Sequence, residues 1–201
     1  MKKIELQSEL RKAIDNNEFQ IFYQAQIDLN TDRIVGFEAL IRWIHPEKGL
    51  IYPDGFILLA EETGLIVPIG RWVLYESCKQ LKRWKEAGFD DINVAVNLSV
   101  RQFRDADLFN MIQGIIEETG IDPKDLELEI TESLALEDIE YTIEVMKRIN
   151  EMGIDFSLDD FGTGYSSMNY LKRLPVKNLK IDKSFIHTMM DNENEQKIVS
   201  T

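Results

Sequence analysis

The chain has 201 residues, 44% of them hydrophobic, enough to bury a substantial core within one domain. Its 36 acidic and 23 basic residues leave a net charge of -13, which disfavours nonspecific attraction to nucleic acid polymers or anionic membrane, so an anionic substrate needs local cations. Cys78 is alone and excludes an intrachain disulfide; the start, Met1-Lys2-Lys3-Ile4-Glu5, lacks the apolar core of a signal peptide, and no apolar run reaches about 18 residues. The expectation is a soluble, cytoplasmic protein without direct membrane contact, either by itself or as the cytoplasmic part of a larger sensory protein.

The spacing predicts a lead-in helix from about Leu6 to Asn16, then strands over Phe19 to Leu29 and Arg33 to Trp43 joined by the turn Asn30-Thr31-Asp32, an antiparallel hairpin. Pro53 and Asp54 open a helical stretch to Glu62. A longer one, Ile66 to Gly88, carries Ile69, Trp72, Val73, Leu81 and Trp84 on one stripe, read as core. Beyond Gly88 the chain alternates. Strands are predicted over Asn93 to Val100, Leu126 to Thr131, Ile154 to Asp160 and Asn178 to Ile181, with helices over Asp107 to Thr119 and Ile139 to Met152, the pattern of parallel β-α units. Gly88, Gly120 and Gly153 sit just past helix ends, where a left-handed residue is cheapest.

Alternate side chains of a strand share a face. Val35, Phe37, Ala39 and Ile41 thus oppose Gly36, Glu38, Leu40 and Arg42; Val94, Val96 and Leu98 oppose Asn97; Leu126, Leu128 and Ile130 oppose Glu127 and Glu129; Ile154, Phe156 and Leu158 oppose Asp155, Ser157 and Asp159; Leu179 and Ile181 oppose Lys180. Each strand keeps an apolar row for helices and turns a polar group the other way. In a closed β/α barrel those second rows face inward. Singly, each polar residue has a plain explanation, and Asp159-Asp160 before Gly162-Thr163-Gly164 is a plain turn with a helix cap at Ser166. Jointly, Glu38, Asn97, Glu129, Asp159 and Asp160 make an oxygen cage for one or two hard cations, with Lys180 beside it and Arg42 able to grip a phosphate, an arrangement suited to phosphoryl chemistry. The kinase-like Asp160-Phe161-Gly162 has no His-Arg-Asp catalytic loop, Gly162-Thr163-Gly164 lacks the third glycine of a dinucleotide fingerprint, no P-loop, zinc protease or serine hydrolase motif is present, and His45 and His187 read as structural.

Glu38-Ala39-Leu40 within Gly36 to Trp43, Asn97-Leu98-Ser99, Glu129-Ile130-Thr131-Glu132-Ser133, the run from Asp159 to Ser167, and Lys180-Ile181-Asp182-Lys183-Ser184-Phe185 together resemble the EAL domain family of bacterial cyclic-di-GMP phosphodiesterases. The resemblance implies an α/β fold, a modified (β/α)8 TIM-type barrel with an antiparallel first strand. It also implies hydrolysis of cyclic-di-GMP to linear pGpG with Mg2+ or Mn2+ at a two-metal site, and a homodimer formed through the family's loop and helix surface. By the same resemblance Glu38, Asn97, Glu129 and Asp159 ligate one metal and Asp159 bridges to a second held partly by Asp160. Lys180 orients or activates the water, so Glu38, Lys180 and Asp160 carry the catalysis. Gln24 and Arg42 contact substrate, and Glu132 steadies the loop from Phe161 to Ser167.

Two departures stand out. Gln24-Ala25 replaces the family's Gln-Pro, and about six strands are present where the family has eight, so residues 1–201 are expected to be a single EAL domain truncated at its C-terminal end, weakly active or inactive alone. The alternative is an inactive cyclic-di-GMP-binding sensor or a protein-interaction module.

Overall fold

The structure, a computed structural model, describes residues 2–162 and 171–184. The chain divides into two compact units at the step from Leu126 to Glu127.

In the first unit, α1 (Lys2–Asp15) buries Leu10 and Ala13 completely. It stops where Asn17 turns left-handed (φ 55), with Asn17 N donating to Ile14 O and Glu18 N to Ala13 O. The chain then forms β1 (Phe19–Asp28) and β2 (Arg33–His45), antiparallel from Phe19↔Trp43 to Asp28↔Arg33. Asp28 Oδ1 builds their turn by accepting Asn30 N and Thr31 N, both at 2.8 Å. A short strand, β3 (Gly49–Ile51), pairs antiparallel with the far end of β2. Alternation alone does not find it, because three residues are too few for a pattern.

A 3-10 turn (Pro53–Gly55) leads into α2 (Ile57–Thr63) and α3 (Ile66–Glu86), and β4 (Asn93–Asn97) then pairs parallel with β2 from Gly36↔Asn93 to Ala39↔Val96. The predicted α3 stripe is present. Ile69, Val73 and Leu81 are buried, while the half-buried Trp84 packs on Tyr23 (4.8 Å between ring centroids) and Phe37 (4.7 Å), and Trp72 on Phe19 (5.9 Å). Phe19, Trp43 and Phe56 form a second aromatic cluster with centroids 5.7–6.1 Å apart. The apolar row of β2 fades toward the hairpin: Ala39, Ile41 and Trp43 are buried but Val35 is exposed.

The strand expected to reach Val100 ends at Asn97, because Ser99 caps a one-turn helix, α4 (Val100–Phe103). Ser99 Oγ accepts Gln102 N and Gln102 Oε1 accepts Ser99 N, a reciprocal box that outweighs the β-preference of Val100. α5 (Leu108–Thr119) follows, ending at left-handed Gly120.

In the second unit, β5 (Leu126–Thr131), β6 (Asp155–Phe161) and β7 (Asn178–Ile181) run parallel in that order. Between β5 and β6 lie α6 (Glu132–Glu137), capped by Thr131, and α7 (Ile139–Asn150), capped by Asp138. Ile143, Met146 and Ile149 of α7 and Phe156 and Leu158 of β6 supply buried apolar groups. A second row that departs from expectation is in β7, where Leu179 and Ile181 are exposed. Alternation marks an apolar face but does not supply its cover.

Gly88 and Gly153 are left-handed as predicted. The Ser166 cap, Phe185 and His187 lie outside the described residues.

Candidate metal and phosphate site

Each unit brings its own polar groups together. In the first, register places Gln24 of β1 directly opposite Glu38 of β2. Glu38 is in turn level with Ala95 of β4, so Asn97, two residues on, lies on the same face. Asn97 Nδ2 donates to Glu38 Oε1 at 2.9 Å, which leaves the amide oxygen as the group turned to a ligand. Gly36 sets the closeness of these strands: a Cβ there would stand 1.7 Å from Asn93 Oδ1.

Arg42 lies further along the face. Its Nη1 donates to Ile41 O at 2.8 Å, and its guanidinium is layered against the rings of Phe22 (5.5 Å) and Tyr52 (5.1 Å). Sequence reasoning did not place these two rings beside Arg42. Their signals were the same-face spacing of Phe22 and Gln24, and Pro53, which holds the preceding Tyr52 extended (φ -78, ψ 160).

In the second unit the pairing of β6 with β7 shifts between Leu158 and Phe161, so Asp159 and Asp160 together face the single residue Lys180. This is a bulge, and Asp160 adopts the left-handed conformation that bulges need (φ 55). The consequence is chemical. Lys180 Nζ lies 2.6 Å from Glu129 Oε2 and 3.4 Å from Asp159 Oδ2. Glu129 is fully buried, and an isolated carboxylate there would cost several kcal/mol; the lysine offsets it. Asp159 Oδ1 accepts Asp160 N at 2.9 Å. The Asp160 carboxyl is held above the ordinary aspartate range, first by burial and then by the carboxylates of Asp159 and Asp182.

Glu132 opens α6, is buried, and its Oε2 accepts Gly162 N at 2.8 Å, where Gly162 is left-handed (φ 101). It therefore touches the start of the predicted loop; residues 163–167 of that loop lie outside the described residues. His45 is buried with Nδ1 accepting Glu47 N and Lys48 N, both at 3.1 Å, which fits its structural reading.

The donor groups are carboxylates in both units and the amide oxygen of Asn97 in the first, hard oxygen ligands that suit a hard divalent cation. Asn97 has its nitrogen committed to Glu38, and Asp159 has one oxygen turned to Lys180.

The EAL domain family model matches residues 7–201. Among curated proteins the chain is 42% identical over 198 residues to the bifunctional diguanylate cyclase/cyclic di-GMP phosphodiesterase MucR of Pseudomonas aeruginosa, covering 98% of this chain and 29% of that protein. To the cyclic di-GMP phosphodiesterase PdeR of Escherichia coli it is 38% identical over 194 residues, covering 96% of this chain and 29% of that protein. The chain thus spans less than a third of these relatives' length. Among solved structures, the PaMucR phosphodiesterase in complex with c-di-GMP matches with a TM-score of 0.93 at 43% identity, over 98% of this chain and 79% of that one. With its antiparallel first strand pair and parallel later strands, its five motif blocks and this match along nearly all its length, the chain belongs to the EAL domain family.

Proposed function

We propose that the chain is the metal-dependent part of a phosphodiesterase that hydrolyses cyclic-di-GMP to linear pGpG. One observation carries the reading: the β6 bulge sets Asp159 and Asp160 against Lys180, which also holds the buried Glu129. A structural ion pair needs one carboxylate; here Glu129 and Asp159 both lie within 3.4 Å of Lys180 Nζ, and Asp160 follows directly in the chain. Relatives that share the family are named as cyclic di-GMP phosphodiesterases, and one is solved with c-di-GMP bound.

By the family's motifs, Glu38, Asn97, Glu129 and Asp159 would be ligands of one divalent ion, and Asp160 would partly hold a second that Asp159 shares. When bound, Mg2+ or Mn2+ supplies the Lewis acidity that phosphodiester hydrolysis requires. Lys180 positions the attacking water and keeps positive charge beside the buried carboxylate. Gln24, opposite Glu38, and Arg42, further along the same face, contact the substrate. Glu132 fixes the first turn of the loop after β6 through Gly162 N. Residues 1–201 are read as belonging to one EAL domain, and the family's loop and helix surface forms a homodimer. Among the described residues no helix is long and apolar enough to cross a membrane.

The test is product analysis with cyclic-di-GMP in magnesium or manganese, in which pGpG should form. Glu38→Ala should abolish turnover; retained turnover contradicts the assignment. Tight binding without pGpG would instead make the protein a sensor.

A further inference from the structure

Among the described residues β7 has one strand neighbour, β6, and is only four residues long. Its apolar row does little to fix its register, because Leu179 and Ile181 are exposed and slippage there meets no burial penalty. The ladder is interrupted by the bulge after Leu158, and beyond it the bond from Asp182 N to Phe161 O is long at 3.4 Å. Yet register decides the chemistry: a slip of one residue would send Lys180 to the opposite face, away from Glu129 and Asp159.

Two residues before Glu129, Asp159 and Lys180, on the same face of each strand, stand Glu127, Ser157 and Asn178. They are hydrogen-bonded to one another. Ser157 Oγ donates to Glu127 Oε1, and Asn178 Nδ2 lies 3.2 Å from both carboxylate oxygens of Glu127. Ser157 and Asn178 are register partners in the β6–β7 ladder, so Asn178 reaches past β6 to a side chain of β5 and ties two strands that are not neighbours. Ser157 and Glu127 are buried, where a polar group left unmet costs about 1–3 kcal/mol. In a slipped register Asn178 turns away and the Glu127 carboxyl loses a donor, so this bonded set opposes slippage. The nearby Lys177–Asp155 pair, 2.6 Å apart, is exposed and contributes little.

We propose that Glu127, Ser157 and Asn178 are positioning residues for the proposed reaction, a clip that holds β7 in the register turning Lys180 toward Glu129 and Asp159. The consequence for turnover rests on the function proposed above; the clip itself does not. Competitive acetylation of the folded chain's lysines with acetic anhydride, read by mass spectrometry, tests the clip. Asn178→Ala, at an exposed position where the core does not need the side chain, should leave the chain folded by circular dichroism. It should raise acetylation of Lys180 about tenfold, as loss of a charge-assisted hydrogen bond does. Glu127→Gln keeps an oxygen that accepts either donor, and there Lys180 acetylation should stay within about twofold of the unsubstituted chain. Turnover of cyclic-di-GMP should fall in Asn178→Ala while manganese affinity holds. Unchanged Lys180 acetylation in folded Asn178→Ala would overturn the clip and leave the proposed function standing. Glu127→Gln reacting as fast as Asn178→Ala would overturn it too, since charge and not the bond would then hold the lysine. Full turnover by Asn178→Ala would overturn the positioning role. The expected acetylation pattern with no turnover by the unsubstituted chain would keep the clip and overturn the function.

Discussion

Glu127 shows how a side chain outside the proposed chemistry is shaped by burial. It sits at the start of β5, buried, with its carboxyl accepting Ser157 Oγ and, at 3.2 Å to both oxygens, Asn178 Nδ2. Burial is the largest influence and raises its pKa, more than Asn178 and the charge of Lys177 lower it. The folded chain therefore holds a proton that the unfolded chain loses from about pH 4, and stability contributed by this group falls as pH rises through the raised folded value. Thermal melts should show the unsubstituted chain losing ground to Glu127→Gln across that window, with the glutamine variant at least as stable above it. Parallel melting profiles would contradict the argument. Lys180 belongs to the proposed chemistry instead: Lys180→Ala should leave divalent-ion affinity largely intact and depress turnover, and lost ion affinity would move this lysine to a structural role.

Among the elements, the β6 bulge and the β2–β4 contact depend on backbone as much as on side chains. Asp160 is left-handed, so Asp160→Gly should keep the bulge and the melting temperature while weakening ion binding, whereas Asp160→Val should also strain the strand by about 1–3 kcal/mol. Equal melting temperatures for the two would show that the conformation carries no strain. Gly36→Ala drives a methyl into Asn93 and should cost about 1–3 kcal/mol in a denaturant titration; an unchanged midpoint would mean that Asn93 swings aside freely.

These elements also mark how far the sequence could be read. Alternation identified β5 and β7 to the residue, and the glycines after α3, α5 and α7 announced their left-handed ends. It placed Glu38 and Asn97 on one face, where they hydrogen-bond. The capped short helices α4 and α6 were not visible, because their caps, Ser99 and Thr131, sit inside runs that read as strand. The bulge was invisible for a related reason: strict alternation sends Asp159 and Asp160 to opposite faces, and only the pairing with β7 brings both against Lys180. Arg42 and its two rings come from three separate segments, β2, β1 and the turn before Pro53, a proximity that no local pattern encodes.

At the scale of the molecule, each compact unit offers oxygen donors from its strands, Glu38 and Asn97 in the first and Glu129, Asp159 and Asp160 in the second, while the helices carry none of the proposed ligands. The central claim is that the strand-borne carboxylates beside Lys180 bind a divalent cation. Manganese titration of the unsubstituted chain beside Glu129→Gln and Asp159→Asn tests it most directly, because both carboxylates lie within 3.4 Å of Lys180 Nζ. Each substitution should weaken manganese binding at least about tenfold, as loss of a ligand does. Unchanged affinity in both variants would contradict the cation site.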